Sequence, residues 1–449
     1  MKNKSIAYQC QHCGYISKKW LGKCPDCGAW NSFVEDFTVI NKKEIKNIEN
    51  VKAVPISNIK LEQQKRISSK FIEFDKVIGG GFISGQVILL GGSPGIGKST
   101  LITQILDNVS DSHNLSVYLS AEESLNQIKI RTNRLNISND NIYIVNSNEI
   151  NSALTKIENL NPKFLVIDSI QTIYSDNISS IPGSISQIKE CCNLLIEFAK
   201  SKGIVLIIIG HITKEGSIAG PKILEHMVDT VLYFESETST TYRIIRSLKN
   251  RFGNINEIAI FEMSAEGLHE LKDPSNIFIE NRSSENIGSI IFPLVEGTRI
   301  FLIEIQALVA STSYSMPRRS AQGIDPNRLN LLITIAEKHL GLQLYSNDVF
   351  INVPGGIRLN DPAVDLAVIF SILSSFLNKK IDTNWACFGE VGLNGEIRKS
   401  SFYNQRINEA LKLGFKKIFT PKQKFNGEYS EKIQVVQLSN IINLIDILN

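Results

Sequence analysis

Several features that would narrow the reading at once are missing from this chain. No run of 18 apolar residues occurs, so no membrane-spanning helix is expected. The first residues carry no apolar stretch of the kind a secretory signal needs, and a cytoplasmic protein without membrane partners is the expectation. A dominant charge is missing too: 48 Lys and Arg against 45 Asp and Glu leave a net charge of +3. What excess exists is local, because residues 1–60 carry ten Lys and five acidic residues while the remainder comes to −2. Charge alone therefore points to a nucleic-acid partner only through the N-terminal piece. Cysteine is scarce beyond residue 27; Cys191, Cys192 and Cys387 sit in apolar context and read as core thiols, which excludes a disulfide framework.

What is present starts with the other four cysteines. Cys10, Cys13, Cys24 and Cys27 form C-x2-C-x10-C-x2-C. Two-residue spacing lets both thiolates of a knuckle face one ion, and two knuckles complete a tetrahedral set for Zn²⁺. So short a module cannot bury a core of its own, so the metal supplies the fold, with roughly 10–16 kcal/mol of binding energy in comparable peptides. Tyr15, Lys18, Lys19, Trp20, Lys23 and Trp30 surround the knuckles; they either stack on nucleic acid or cover the metal site. Residues 1–36 are read as this four-cysteine zinc module and the polar, Lys/Asn-rich residues 37–66 as a linker.

The strongest signal follows the apolar run Val87 to Leu90, which reads as a buried strand. Gly92-Ser93-Pro94-Gly95-Ile96-Gly97-Lys98-Ser99-Thr100 contains G-x-x-x-x-G-K-[ST]. A phosphate chain needs several backbone N–H donors in reach, and glycine lets the main chain turn tightly enough to present them. Lys98 is expected on the β- and γ-phosphates of ATP and the Ser99 hydroxyl on Mg²⁺. A short strand, Val117 to Leu119, then leads into Glu122 and Glu123. A carboxylate at that strand end could polarise the attacking water; Glu122 is the candidate and Glu123 the alternative. Phe164-Leu165-Val166-Ile167-Asp168 is the Walker B pattern, with Asp168 expected to hold the same Mg²⁺ through water. A further strand, Ile204 to Ile209, ends at His211, a candidate sensor of the γ-phosphate. This order alternates strand with helix, the pattern of a doubly wound α/β sheet over residues 67–272. Phe74 to Phe82 reads as a turn-rich lead-in to the first strand.

Lys249-Asn250-Arg251-Phe252-Gly253, Lys214 to Pro221, Leu224 to Asp229 and the four-cysteine module together resemble the bacterial RadA (Sms) recombination and repair ATPases over practically the whole chain. The resemblance implies a RecA-like core working as a homo-oligomer, a hexameric ring, on single-stranded and branched DNA, with branch migration or helicase-like movement as its output. It implies catalytic roles for Lys249 and Arg251 across a subunit interface, or a part in DNA engagement; the four-cysteine module is expected to bind either DNA or a partner, a recombinase or replicative helicase. From Gly355 to Pro362 and from Gly389 to Glu396 the last part, residues 273–449, resembles the proteolytic domain of Lon. Matching the blocks puts Ala363 where Lon has its serine and Asn404 where it has its lysine, and neither can act as nucleophile or base. The expected fold class is therefore α/β: a four-cysteine zinc module, a RecA-like P-loop ATPase core and a Lon-like α+β domain without peptidase activity. Arg318, Arg319 and Arg328 are candidates to face a channel. The competing functions are an ATP-dependent Lon-type protease and a nucleotide-gated protein platform.

Overall fold

The computed structural model describes residues 7–10, 15–26, 28, 30–36, 55–58, 65–211, 223–236, 242–255, 257–271, 287–312, 316–354, 358–424 and 432–448. The chain divides into two compact units, residues 1–236 with 241–270, and residues 237–240 with 271–449.

At the N-terminus, β1 (Ala7–Cys10), β2 (Ile16–Ser17) and β3 (Phe33–Asp36) form an antiparallel ribbon in the order β2-β1-β3. Among the described residues its apolar cluster is Cys10, Cys24 and Phe33, with Tyr8 and Leu21 packed against it. So small a core cannot hold a fold unaided.

The centre of the first unit is a nine-stranded sheet. Six strands run parallel: β4 (Val87–Gly92), β5 (Ser116–Ser120), β6 (Ile142–Asn146), β7 (Phe164–Asp168), β8 (Val205–His211) and β9 (Thr230–Glu235). β10 (Tyr242–Asn250), β11 (Ile258–Ser264) and β12 (Gly267–Glu270) close it antiparallel, giving the order β12-β11-β10-β9-β4-β8-β7-β5-β6. Apolar side chains leave both faces: Ile88 and Leu90 enter one core, Val87 and Leu89 the other, as expected of strands covered by helices on both sides. α2 (Lys98–Val109) covers the first face through Leu101, Ile102 and Ile105. α4 (Ile150–Leu160) and α5 (Ile185–Lys202) cover the second. Cys191 and Cys192 lie within that second core, where burial pushes both thiols up to about 12; they are core thiols.

One local expectation is corrected. The stretch from Phe74 reads as a turn-rich lead-in, but Ile72–Ile78 forms a helix, α1. Its N-terminus has no local side-chain cap; instead the Glu270 carboxylate, nearly two hundred residues away, accepts from the N–H groups of Ile72 at 2.8 Å and Phe74 at 3.1 Å and from that of Glu73. Gly79 ends the helix at φ 95°, and a Cβ there would stand 2.7 Å from the Phe252 carbonyl oxygen. Both ends of α1 are thus set by distant chain.

The second unit holds a seven-stranded sheet in the order β15-β16-β14-β13-β17-β20-β21. The strands are β13 (Ser289–Glu296), β14 (Arg299–Ser311), β15 (Arg319–Gln322), β16 (Asn347–Asn352), β17 (Trp385–Cys387), β20 (Lys417–Pro421) and β21 (Gln434–Leu438), with β18 (Glu390–Val391) and β19 (Ile397–Arg398) as a separate pair. α7 (Pro326–Leu340) starts on the Asp325 cap with proline at its first position and stops at Gly341. α8 (Asp365–Leu377) is buried along most of its length, and α9 (Tyr403–Lys412) packs on β13 and β14. Just ahead of α8, Pro362–Val364 closes as a 3-10 turn.

Candidate nucleotide site

β4 delivers the chain to the sheet edge, and the phosphate loop turns there. Gly95 and Gly97 take φ of 75° and 113°, a conformation side chains rarely tolerate. A Cβ on Gly92 would stand 2.8 Å from the Phe234 carbonyl oxygen of β9, and one on Gly97 would collide with the Met263 side chain. Glycine is required at both, at Gly92 by the backbone of the neighbouring strand and at Gly97 by its positive φ. α2 begins at Lys98, so its first N–H groups face the cleft.

Lys98 is 4% exposed. Its ammonium donates to the carbonyls of Gly92 at 2.8 Å and Ser93 at 3.0 Å and lies 3.5 Å from His211 Nδ1. Burial pulls its pKa down to about 8 against the pull of Asp168 and Glu122. A buried cation whose hydrogen-bond partners are mostly neutral carbonyls is poised for an anion.

Ser99 Oγ donates to Asp168 Oδ2 at 2.7 Å, which brings the two expected Mg²⁺ ligands together at the ends of α2 and β7. A hydroxyl and a carboxylate converging beside a phosphate loop are the hard oxygen donors Mg²⁺ takes. Asp168 is 5% exposed and accepts a second, short hydrogen bond from the Tyr118 hydroxyl of β5. Burial raises the Tyr118 phenol well above its ordinary pKa, with the Asp168 charge adding to the shift, so it stays protonated and donates.

The two adjacent acids separate clearly. Glu122 accepts from the Ser169 hydroxyl and lies 3.1 and 3.3 Å from His211 Nε2. The His211 hydrogen bond is the largest cause holding its carboxyl below the usual glutamate value, with Ser169 and Lys98 acting the same way against burial. Glu123 turns instead to Arg131 of α3 (Leu125–Arg134) in an ion pair. His211 therefore bridges Lys98 and Glu122, one ring nitrogen to each. Around these groups lies a cleft of about 420 Å³, lined among others by Gly97, Lys98, Glu122, Asp168, His211 and the α3 residue Arg134.

Lys249 and Arg251 do not line this cleft. Lys249 Nζ donates to the carbonyls of Glu225, His226 and Val228 at 2.8, 3.2 and 2.8 Å, holding the end of the short helix α6 (Ile223–Met227). Arg251 is 58% exposed and lies 3.3 Å from Asp229 Oδ1, a buried carboxylate that also takes Lys200 at 3.2 Å. Asn250 reaches the Val77 carbonyl at 3.2 Å, joining the motif to α1.

In the ribbon, Cys10 and Cys24 are buried, while Cys13 and Cys27 fall outside the described residues. Two inward thiols, one from each knuckle, with Gly28 N–H closing the second knuckle on the Cys24 carbonyl at 3.0 Å, fit a zinc ion. Trp20 and Trp30 are 52% and 71% exposed, and the Lys23 ammonium stands 5.4 Å from the Trp30 ring. Lys214 to Pro221 and Gly355 to Ile357 also lie outside the described residues.

The Lon-like stretch holds no nucleophile at the matched position. Ala363 is buried, with its N–H on Asp361 Oδ1 at 3.0 Å, and the Asn404 side-chain oxygen is buried without a partner. Arg328 is corrected as a channel residue: its guanidinium is occupied by Asp365 and by the Val391 carbonyl at 3.1 Å. Arg318 lies 3.7 Å from Asp348 and Arg319 is exposed on β15.

Sequence reasoning missed Tyr118 and Arg131. A tyrosine inside a buried strand gives no local sign of its partner, and an arginine on an otherwise polar helix reads as solvated.

Family models match three stretches: Rubredoxin metal binding domain over residues 8–35, KaiC over 68–273 and Subunit ChlI of Mg-chelatase over 332–424. The chain thus combines a zinc ribbon, a KaiC/RecA-like ATPase domain and a Lon-like C-terminal region. It is 47% identical over 447 residues to DNA repair protein RadA of Bacillus subtilis, covering 98% of this chain and 97% of the relative. The corresponding protein of Halalkalibacterium halodurans is 44% identical over 453 residues, covering 100% and 99%, and that of Listeria monocytogenes 44% over 442 residues, covering 98% and 97%. Among solved structures, a KaiC-like protein from Pyrococcus horikoshii aligns at 23% identity and a TM-score of 0.39, covering 46% of this chain and 99% of that one.

Proposed function

The chain belongs to the family of DNA repair protein RadA, and from that premise we propose that it is a DNA-dependent ATPase of homologous recombination and repair, moving single-stranded or branched DNA through a ring of identical subunits. The observation that carries the ATPase reading is the convergence of Lys98, Ser99, Asp168 and Glu122 on one cleft, with Ser99 and Asp168 2.7 Å apart. In this reading the loop from Gly92 to Thr100 cradles the phosphates of ATP, and Ser99 and Asp168 hold Mg²⁺. When bound there, the cation would supply charge neutralisation to the phosphates. Glu122 orients and polarises the attacking water, and His211, touching both Lys98 and Glu122, senses whether a γ-phosphate is present. Cys10, Cys13, Cys24 and Cys27 hold Zn²⁺ in a module of residues 1–36, joined through 37–66 to the ATPase domain of 67–272 and a scaffold of 273–449.

The exposure of Arg251, outside its own cleft, supports delivery to a neighbour's γ-phosphate. Lys249 can follow only by leaving three carbonyls of its own chain, so Arg251 is the primary cation. A Lon-type protease finds no support, because Ala363 and Asn404 can neither attack nor deprotonate. No helix among the described residues is long and apolar enough to cross a membrane.

The test is Mg²⁺-dependent ATP hydrolysis by the full chain with and without single-stranded DNA. Turnover is expected to rise with DNA and the stimulation to fade with salt, as phosphate contacts release counterions. R251A is expected to lower DNA-stimulated turnover about 10³-fold with nucleotide binding retained. Turnover indifferent to DNA, with no DNA binding at low salt, would favour a nucleotide-gated protein platform and overturn the proposal.

A further inference from the structure

We propose that Tyr118 and Arg131 are positioning residues that fix the magnesium acid Asp168 and tie its orientation to α3; the proposal rests on the reading of Asp168 given above. Asp168 ends β7, where a carboxylate is free to turn about two side-chain bonds. Ser99 restrains it here, but as a ligand of Mg²⁺ the same hydroxyl would give its oxygen to the cation, and a second restraint on Asp168 would then be needed. Tyr118 supplies it from the adjacent strand, on the face of the sheet that Phe164 and Val166 share.

The direction of this chain of hydrogen bonds follows from donor and acceptor chemistry. Arg131 Nη2 lies 3.2 Å from the Tyr118 hydroxyl, and a guanidinium can only donate. The phenol oxygen therefore accepts from Arg131, and its single proton goes to Asp168. The Arg131 charge, above the Tyr118 ring at 5.6 Å, polarises the O–H and strengthens the bond it gives. Glu123 fixes the other arm of the same guanidinium. Arg131 is 8% exposed and stays in place although its Nε finds no partner. The path runs from Glu123 through Arg131 and Tyr118 to Asp168. Gln127, Ile130 and Arg134 of the same helix α3 line the cleft, so a nucleotide bearing on α3 is felt at the metal acid.

The experiment titrates Mg²⁺ against binding of a fluorescent ATP analogue to the full-length chain, beside thermal unfolding in metal-free buffer. Y118F keeps the ring and removes the hydroxyl. It is expected to raise the half-saturating Mg²⁺ about tenfold, the scale on which lost outer partners weaken metal sites, while binding without Mg²⁺ is unchanged. R131A, whose side chain also lines the cleft, is expected to raise the half-saturating Mg²⁺ likewise, and R131K to recover part of that rise by restoring the charge. D168N serves as the control for the metal reading. An unchanged Mg²⁺ requirement in Y118F beside a raised one in D168N overturns the relay, whatever happens to the thermal midpoint. An unchanged requirement in D168N removes the metal reading and the relay with it.

Discussion

The nucleotide cleft and the Lon-like stretch both bury charged side chains, and they use them in opposite ways. In the cleft, the Lys98 ammonium donates to two carbonyls and the Glu122 carboxylate meets a hydroxyl and an imidazole, so lysine and carboxylate attract one another without closing on each other as an ion pair. In the second unit, Arg406 is wholly buried on Asp361 and lies 5.3 Å from the Phe388 ring and 5.6 Å from the Phe292 ring, while Arg328 is closed on Asp365. Charges that cancel one another inside a core hold structure together. Charges held apart around a cleft stay available to a ligand, whereas charges paired in a core do not.

The most severe way to break this contrast is to unpair the scaffold. Burial lowers the Arg406 pKa against the pull of Asp361, so the guanidinium depends on that partner. R406A is expected to destabilise the second unit by about 3–5 kcal/mol, read by denaturant unfolding, because it leaves a buried charge unmatched. The double change R406M/D361N, which keeps an acceptor for the Ala363 N–H, is expected to recover most of that loss; equal loss in both would show the pair to be more than a cancelled charge.

Removing the waiting charge should do the reverse. K98A is expected to cut ATP turnover by at least about 10²–10³-fold, the scale of one lost electrostatic contact to the transition state. Its thermal midpoint should not fall, since the folded protein no longer holds a desolvated ammonium. A clear drop in that midpoint would place Lys98 with the structural charges.

The smallest effect sharpens the comparison at a surface carboxylate that is fully engaged. Glu149 caps α4, accepting from the N–H groups of Asn151 at 2.9 Å and Ser152 at 2.7 Å. Burial works to raise its pKa, but the bonds from Ser152 and Asn151 outweigh it and hold the carboxyl at about 2. Because the folded value is depressed, the stabilisation is complete above the ordinary glutamate value and is lost as pH falls through about 2. E149A is expected to cost about 1 kcal/mol near neutrality, and the gap to the unchanged protein to close between about pH 4.5 and 2.

Legibility followed the range of the forces involved. The phosphate loop is readable because closely spaced glycines, one lysine and one serine set its backbone and chemistry together. The sheet is readable because its strands are continuous apolar runs between turn signals. The choice between Glu122 and Glu123 cannot be made from their neighbours, since adjacent residues share a local environment. Arg131, eight positions on, claims Glu123, while Ser169 and His211 claim Glu122. α1 reads as turn because its cap is Glu270, and Lys249 reads as a free cation because nothing local announces the carbonyls it holds.

By itself, then, the order of residues determined which motifs are present: paired cysteines, a phosphate loop, an acid-tipped strand and a strand-helix alternation that brings the loop and the acid to one sheet edge. Each of these rests on residues within a few positions of one another, where covalent geometry and backbone preference decide. Only the tertiary structure decided which partners each of the two acids meets, that Tyr118 holds Asp168, that Arg328 is consumed by Asp365, and that Arg251 does not line the cleft. Those outcomes depend on hydrogen bonds and charges acting over a few ångströms between residues far apart in the chain, and such distances exist only once the chain has folded.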